Sequence, residues 1–155
     1  MKLSKALRGF ARGSLATIFV TGGLDVIQHP EGRAQVAQEF LDKAKKVVPM
    51  LPDDNTTIVK ANAALQLGAG AMLGLGIFPR IASWLLITSL VPTTIGGHPF
   101  WGIEDPKQRA MQRAHFNKNI GILGGLIFAA LDAKKPTKKP AAAAPVKTTA
   151  KTHKS

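Results

Sequence analysis

I-V-K-A-N-A-A-L-Q-L-G-A-G-A-M-L-G-L-G-I-F, residues Ile58 to Phe78, decides how this chain is read. At about 1.5 Å per residue, such a run is long enough to cross a hydrocarbon core of about 30 Å. Asn62, Gln66, Gly70 and Gly74 recur every four residues and so share one helical face. Apolar residues cover the rest of the surface. A helix solvated by water is polar outside, whereas a helix in a membrane bundle turns its few polar groups inward. The narrow polar line therefore predicts a membrane helix, and intramembrane polar residues are site candidates by default.

Three further apolar windows lie on either side: about Leu7 to Val26, Ile81 to Ile95, and Ala114 to Leu131. Arg8 and Arg12 sit at the start of the first and can snorkel to the interface. Pro79-Arg80 predicts a tight turn between the second and third. The third is short, carries Trp84 near one end as interfacial tryptophans do, and contains Pro92, which predicts a kink or an end to its regular part. The uncharged part of the fourth, Ile120 to Leu131, holds seven Ile, Leu or Phe residues. Together these favour insertion by about 3 kcal/mol, and Lys118 near the span's end offsets part of that. The segment is marginal alone and viable once packed. The expected fold is thus all-α: a polytopic four-transmembrane-helix bundle with spans near 7–26, 58–78, 81–95 and 114–131 in a domain covering 1–132.

The chain has 155 residues, no cysteine and a net charge of +12. Thiol chemistry and thiolate metal sites are excluded. Four basic residues crowd the start (Lys2, Lys5, Arg8, Arg12), and seven lysines follow Leu131, so these eleven are over half of the 21. A nucleic-acid reader would carry them on a folded face with interleaved aromatics. Flanking apolar helices, they read instead as topology signal and contact with anionic lipid. Even-numbered spans place both ends on one side, and the positive-inside rule makes it the cytoplasm, with twelve basic residues there against nine opposite. Residues 133–155, made of Lys, Pro, Ala and Thr, form a basic tail expected to be disordered. Between the first two spans, Val36, Phe40, Ala44, Val47 and Val48 recur at helical spacing. They predict a short amphipathic helix in the first outer loop, lying on the membrane or capping the bundle. Glu104-Asp105 before Pro106 reads as a helix start.

Several residues invite two readings. Gly13, Thr17, Gly70, Gly74, Gly121 and Gly125 fit small-residue packing between helices, with threonines able to bond across the seam. Asn62 and Gln66 can bond each other, a neighbouring helix or the carbonyl of a bound quinone. His115, Lys118 and Asn119 share one turn, and either contact an anion or reduced quinone or only mark the interfacial end of the helix. His98 lies in G-G-H-P-F-W, where Phe100 and Trp101 anchor the loop. An aromatic beside convergent donors suits a quinone head group. Haem would need two histidines facing across the bundle, such as His98 and His115, and no spacing signature supports it. There is no Walker loop, zinc spacing or nucleophile motif.

V-K-A-N-A-A-L-Q-L-G-A-G-A-M-L-G-L-G with F-P-R, then S-L-V-P-T-T-I-G-G-H-P-F-W, D-P and H-F-N-K-N-I-G-I-L-G-G-L, resemble in order the later helices of DoxX proteins. The resemblance covers about Leu7 to Leu131. It implies a four-helix protein of the bacterial inner membrane, in a family named after a subunit of a quinol oxidase or thiosulfate:quinone oxidoreductase. The expectation is a non-catalytic subunit or anchor of a quinone-linked redox or oxidative-stress system. A small-molecule transporter or channel-like bundle is the alternative.

Overall fold

The computed structural model describes residues 2–132, and the expected tail lies outside them. Among the described residues there is no strand. The helices are α1 (Lys2–Gln28), α2 (Pro30–Val36), α3 (Gln38–Val47), α4 (Asn55–Leu75), α5 (Pro79–Gly97) and α6 (Pro106–Asp132), with a single 3-10 turn at Phe100–Gly102. Ser4–Gln28 and Asn55–Leu75 are long and apolar enough to cross a membrane.

The four long helices form a bundle in which α1 packs on α4, α4 on α5 and α5 on α6, while α6 returns to touch α1. The α1–α4 seam is antiparallel and close. A Cβ added to Gly23 would lie 2.8 Å from the Ala63 carbonyl oxygen; one on Gly70 would meet Phe19 at 3.0 Å, and one on Gly74 would meet Ala16 at 3.0 Å. Phe19, Ala69, Leu73, Ala82, Leu86, Leu90 and Leu126 fill the centre. The apolar core also admits polar residues, and large apolar side chains cover the outside. Ser83, Ser89, Thr94 and Asn119 are buried, while Phe10, Leu75 and Phe128 are each more than 70% exposed. Side chains of that size on the outside suit lipid rather than water as solvent.

The helix boundaries differ from the sequence reading at three places. α4 ends at Leu75, not Phe78, because Gly76 adopts a left-handed φ of 72° and its N–H bonds back to Leu73. The turn is therefore Gly76–Phe78, and Pro79 is the first residue of α5, where its missing N–H costs nothing. Pro92 does not end α5. The Thr93 and Thr94 hydroxyls donate to the Ser89 and Leu90 carbonyls at 2.8 and 2.7 Å, holding the backbone helical around the proline. α6 starts eight residues before Ala114, where the Asp105 carboxylate accepts from the Gln108 N–H at 2.7 Å.

The first loop is helical, as its periodicity predicts, but in two pieces. Asp54 closes it by capping α4, accepting from the N–H groups of Thr56 and Thr57 at 3.1 and 2.8 Å. The Thr57 hydroxyl, with those amides, holds the Asp54 carboxyl below its ordinary range. α3 caps the bundle: Leu41 is buried, and Phe40 lies so close to Gly96 that an added Cβ would come within 2.7 Å of its ring.

Candidate ligand-binding site

Asn62 and Gln66 turn toward α5 and meet two hydroxyls set at the same four-residue spacing. Asn62 Nδ2 donates to Thr93 Oγ1 at 3.1 Å, and Gln66 Nε2 donates to Ser89 Oγ at 2.9 Å. The Ser89 hydroxyl donates in turn to Asn62 Oδ1 at 2.7 Å. Gln66 Nε2 also reaches Thr93 Oγ1 at 3.4 Å. On α6, Asn119 is buried and donates from Nδ2 to Thr94 Oγ1 at 3.1 Å. Each amide carries one donor group and one acceptor oxygen. Gln66 Oε1 and Asn119 Oδ1 accept from no described residue, so their acceptor capacity is unspent.

Four of these residues border a cavity of about 310 Å³ near the end of the bundle that α2 and α3 cover. Asn62, Gln66 and Thr93 face it from α4 and α5, and Lys118 and Asn119 from α6. His98 and Arg33 also line it, and Phe19, Phe40 and Ile122 are among its apolar walls. Two cations and no carboxylate line it. Such a chamber suits a flat or elongated apolar molecule with a polar, electron-rich head.

His98 follows the last residue of α5, with Nδ1 2.7 Å from Gln112 Oε1. An amide oxygen only accepts, so Nδ1 carries the proton and Nε2 is left as an acceptor in the neutral ring. Burial lowers the His98 pKa, the Gln112 hydrogen bond opposes this, and His115, Arg33 and Lys118 lower it further.

Of the seven residues singled out in the sequence as ligand contacts, five border the cavity: Asn62, Gln66, His98, Lys118 and Asn119. His115 is exposed on the outer side of His98, its ring stacked 5.3 Å away at 17°. Parallel faces at that spacing do not aim two nitrogens at a metal between them. Trp101 is exposed and packs edge-on to Phe100 and Phe116, away from the cavity. Among the described residues, no group of three or more His, Asp or Glu could hold a metal ion.

The packing residues divide similarly. Gly70, Gly74 and Gly125 lie against neighbours, but Gly13 and Gly121 face open space. Thr17 bonds no other helix, since its hydroxyl donates to its own Gly13 carbonyl at 2.9 Å. At about 100° per residue, Gly13 and Thr17 point roughly a quarter turn away from the Ala16–Phe19–Gly23 face that meets α4. Sequence reasoning missed Ser89, Thr93, Thr94, Arg33, Gly23 and Gly96. The i, i+4 pair Ser89/Thr93, mirroring Asn62/Gln66 on the adjacent antiparallel helix, was the signal for the first two.

Residues 8–99 match the sequence profile of the DoxX family, spanning α1 through the end of α5 and stopping short of α6. Neither the curated proteins nor the solved structures gave a match.

Proposed function

The chain belongs to the DoxX family, and we propose that it is a four-span protein of the bacterial inner membrane whose cavity receives the head group of a quinone. In this reading it acts as a non-catalytic subunit or anchor of a quinone-linked redox system, with both ends cytoplasmic. The observation that carries it is the cavity: three amides from two helices, a threonine hydroxyl from a third, one neutral histidine and two cations converge on an otherwise apolar chamber. Its volume is at the lower end of the about 300–1,000 Å³ usual for small-molecule sites. Lys118 and the amide N–H groups are the donors suited to quinone carbonyls. Gln66 Oε1 and the Nε2 acceptor of neutral His98 suit quinol hydroxyls. Phe19 and Phe40 supply apolar wall for the ring. When bound, the quinone supplies a two-electron, two-proton couple. The chain's own part is to bind and orient it, shield it from water, and hold a proton acceptor at His98.

α5 and α6 would complete the four spans. Arg80 and five hydroxyl residues dilute α5, and only the second half of α6 is apolar, so these two depend on packing against α1 and α4 for their place in the bilayer. A channel has less support. Leu73, Leu86 and Leu126 are fully buried in the core of the bundle, and none of them lines the cavity.

The test is quinone content. The full chain is purified from membranes in mild detergent, and quinone is extracted and quantified per protein. About one quinone per chain is expected, lost in Asn62→Ala/Lys118→Ala while the helical circular dichroism is kept. Folded wild-type protein with no quinone above the detergent background refutes the reading.

A further inference from the structure

A second cleft opens at the opposite end of the bundle, between the first turns of α1, the start of α5 and the last turn of α6. Lys5, Arg8, Arg12 and Asp132 line it, above an apolar side that includes Leu15 and Phe128. Arg8 is ion-paired with Asp132, which ties α1 to α6 and neutralises one of the three cations. Neither Lys5 nor Arg12 has an ion pair among the described residues. Arg12 is the informative one. Its guanidinium lies beside Gly76, which caps α4, with Nη2 3.4 Å from where a Cβ on that residue would be. Its Nε is buried and has no hydrogen-bond partner among the described residues. A buried donor on a cation is costly to leave unpaired. Guanidinium groups match phosphate oxygens in charge and in the spacing of their donors.

We propose that this cleft binds the phosphodiester head group of an anionic phospholipid, with Lys5 and Arg12 as its contacts and the acyl chains lying along Leu15 and Phe128. Phe128 is 72% exposed beside the charged groups, which gives a chain an apolar surface to follow. Phosphatidylcholine carries the same phosphodiester but adds a choline cation, which two uncompensated positive groups disfavour. The proposal rests on the membrane reading above and is independent of the quinone, since the two recesses share no residue. The competing role for Arg12 is to stabilise the carbonyl end of α4 by its charge alone.

The experiment is a native mass-spectrometry titration of the full chain in mild detergent with phosphatidylglycerol, phosphatidylcholine and inorganic phosphate. One phosphatidylglycerol should bind about tenfold more tightly than phosphatidylcholine, and Lys5→Gln should weaken it about fivefold without changing phosphatidylcholine binding. Arg12→Lys keeps the charge but loses Nε. It should also weaken phosphatidylglycerol, which a helix-end role does not require, and leave quinone content unchanged. If that variant does not fold, Lys5→Gln decides, because its side chain is exposed. Equal affinity for the two lipids, or an unaffected Lys5→Gln, overturns the proposal. Displacement of the lipid by millimolar inorganic phosphate overturns the lipid as the source of the anion. Release of the protein from membranes by alkaline carbonate refutes the membrane reading itself, before any titration.

Discussion

Ser89→Ala isolates the hydrogen bonds between α4 and α5. Ser89 is 4% exposed, accepts from Gln66 at 2.9 Å and donates to Asn62 at 2.7 Å. Alanine removes one oxygen and two interhelical bonds. Gln66 keeps only its 3.4 Å contact with Thr93, and Asn62 Oδ1 loses its partner. Hydrogen bonds between membrane helices average about 0.6 kcal/mol each, so the two together amount to about 1.2 kcal/mol. Stranding the Asn62 oxygen adds to this, but Asn62 borders a cavity large enough for water, which softens the penalty. The expected loss is about 1–2 kcal/mol. It can be measured from reversible unfolding in mixed micelles of mild detergent and dodecyl sulfate, followed by circular dichroism. Asn62→Ala and the double variant complete the cycle, with a coupling of about 0.6 kcal/mol or more expected between the two sites. Thr88→Ala is the control: Thr88 is exposed and its hydroxyl donates to its own Leu85 carbonyl, so the change should stay within about 0.5 kcal/mol. A Ser89→Ala loss no larger than that of Thr88→Ala, or strictly additive effects at 62 and 89, refutes the network.

Gly23→Ala should destabilise by about 1–3 kcal/mol, because its Cβ would press on the α4 backbone, whereas Gly13→Ala, with open space around it, should be neutral or stabilising in the same assay. The folded His98 pKa lies below the ordinary value of about 6.5, so as pH falls through 6.5 the unfolded chain takes up a proton that the folded chain does not. Stability should therefore decline from about pH 6.5 down to the folded pKa and level off below it; an unchanged slope in His98→Gln would assign the decline to another group. Single cysteines replacing Ser4 and Glu104, in a chain with none of its own, should be labelled from opposite sides of the membrane by an impermeant thiol reagent. Labelling of both from the same side contradicts the four-span topology.

The helices were legible because apolar run length and proline or acidic punctuation act locally. Asn62 and Gln66 stood out because amides are costly in an apolar helix wherever they point. Serine and threonine give no such signal: a hydroxyl can return to its own backbone, as in Thr17 and Thr21, or serve a neighbour as Ser89 does. The sequence of one helix does not distinguish these cases; the register between two helices does. Glycine is ambiguous in the same way, since Gly13 and Gly23 lie on one helix and only Gly23 meets α4. Arg33 was hidden for another reason. It belongs to a short helix that reaches the cavity only because α2 folds back over the bundle.

The buried leucines of the core have an electrical consequence. With the four helices in a bilayer, recesses open at opposite ends of the bundle, and the buried core residues Leu73, Leu86 and Leu126 line neither of them. Voltage falls mostly across the least polarisable part of its path, so the field is concentrated over those few side chains. An ion crossing that core would work against most of the roughly 2.3 kcal/mol per 100 mV that a full crossing involves. An ion that entered only as far as Asn62 would meet little of it. Occupancy of the cavity, even by a charged ligand, should therefore be nearly insensitive to membrane potential.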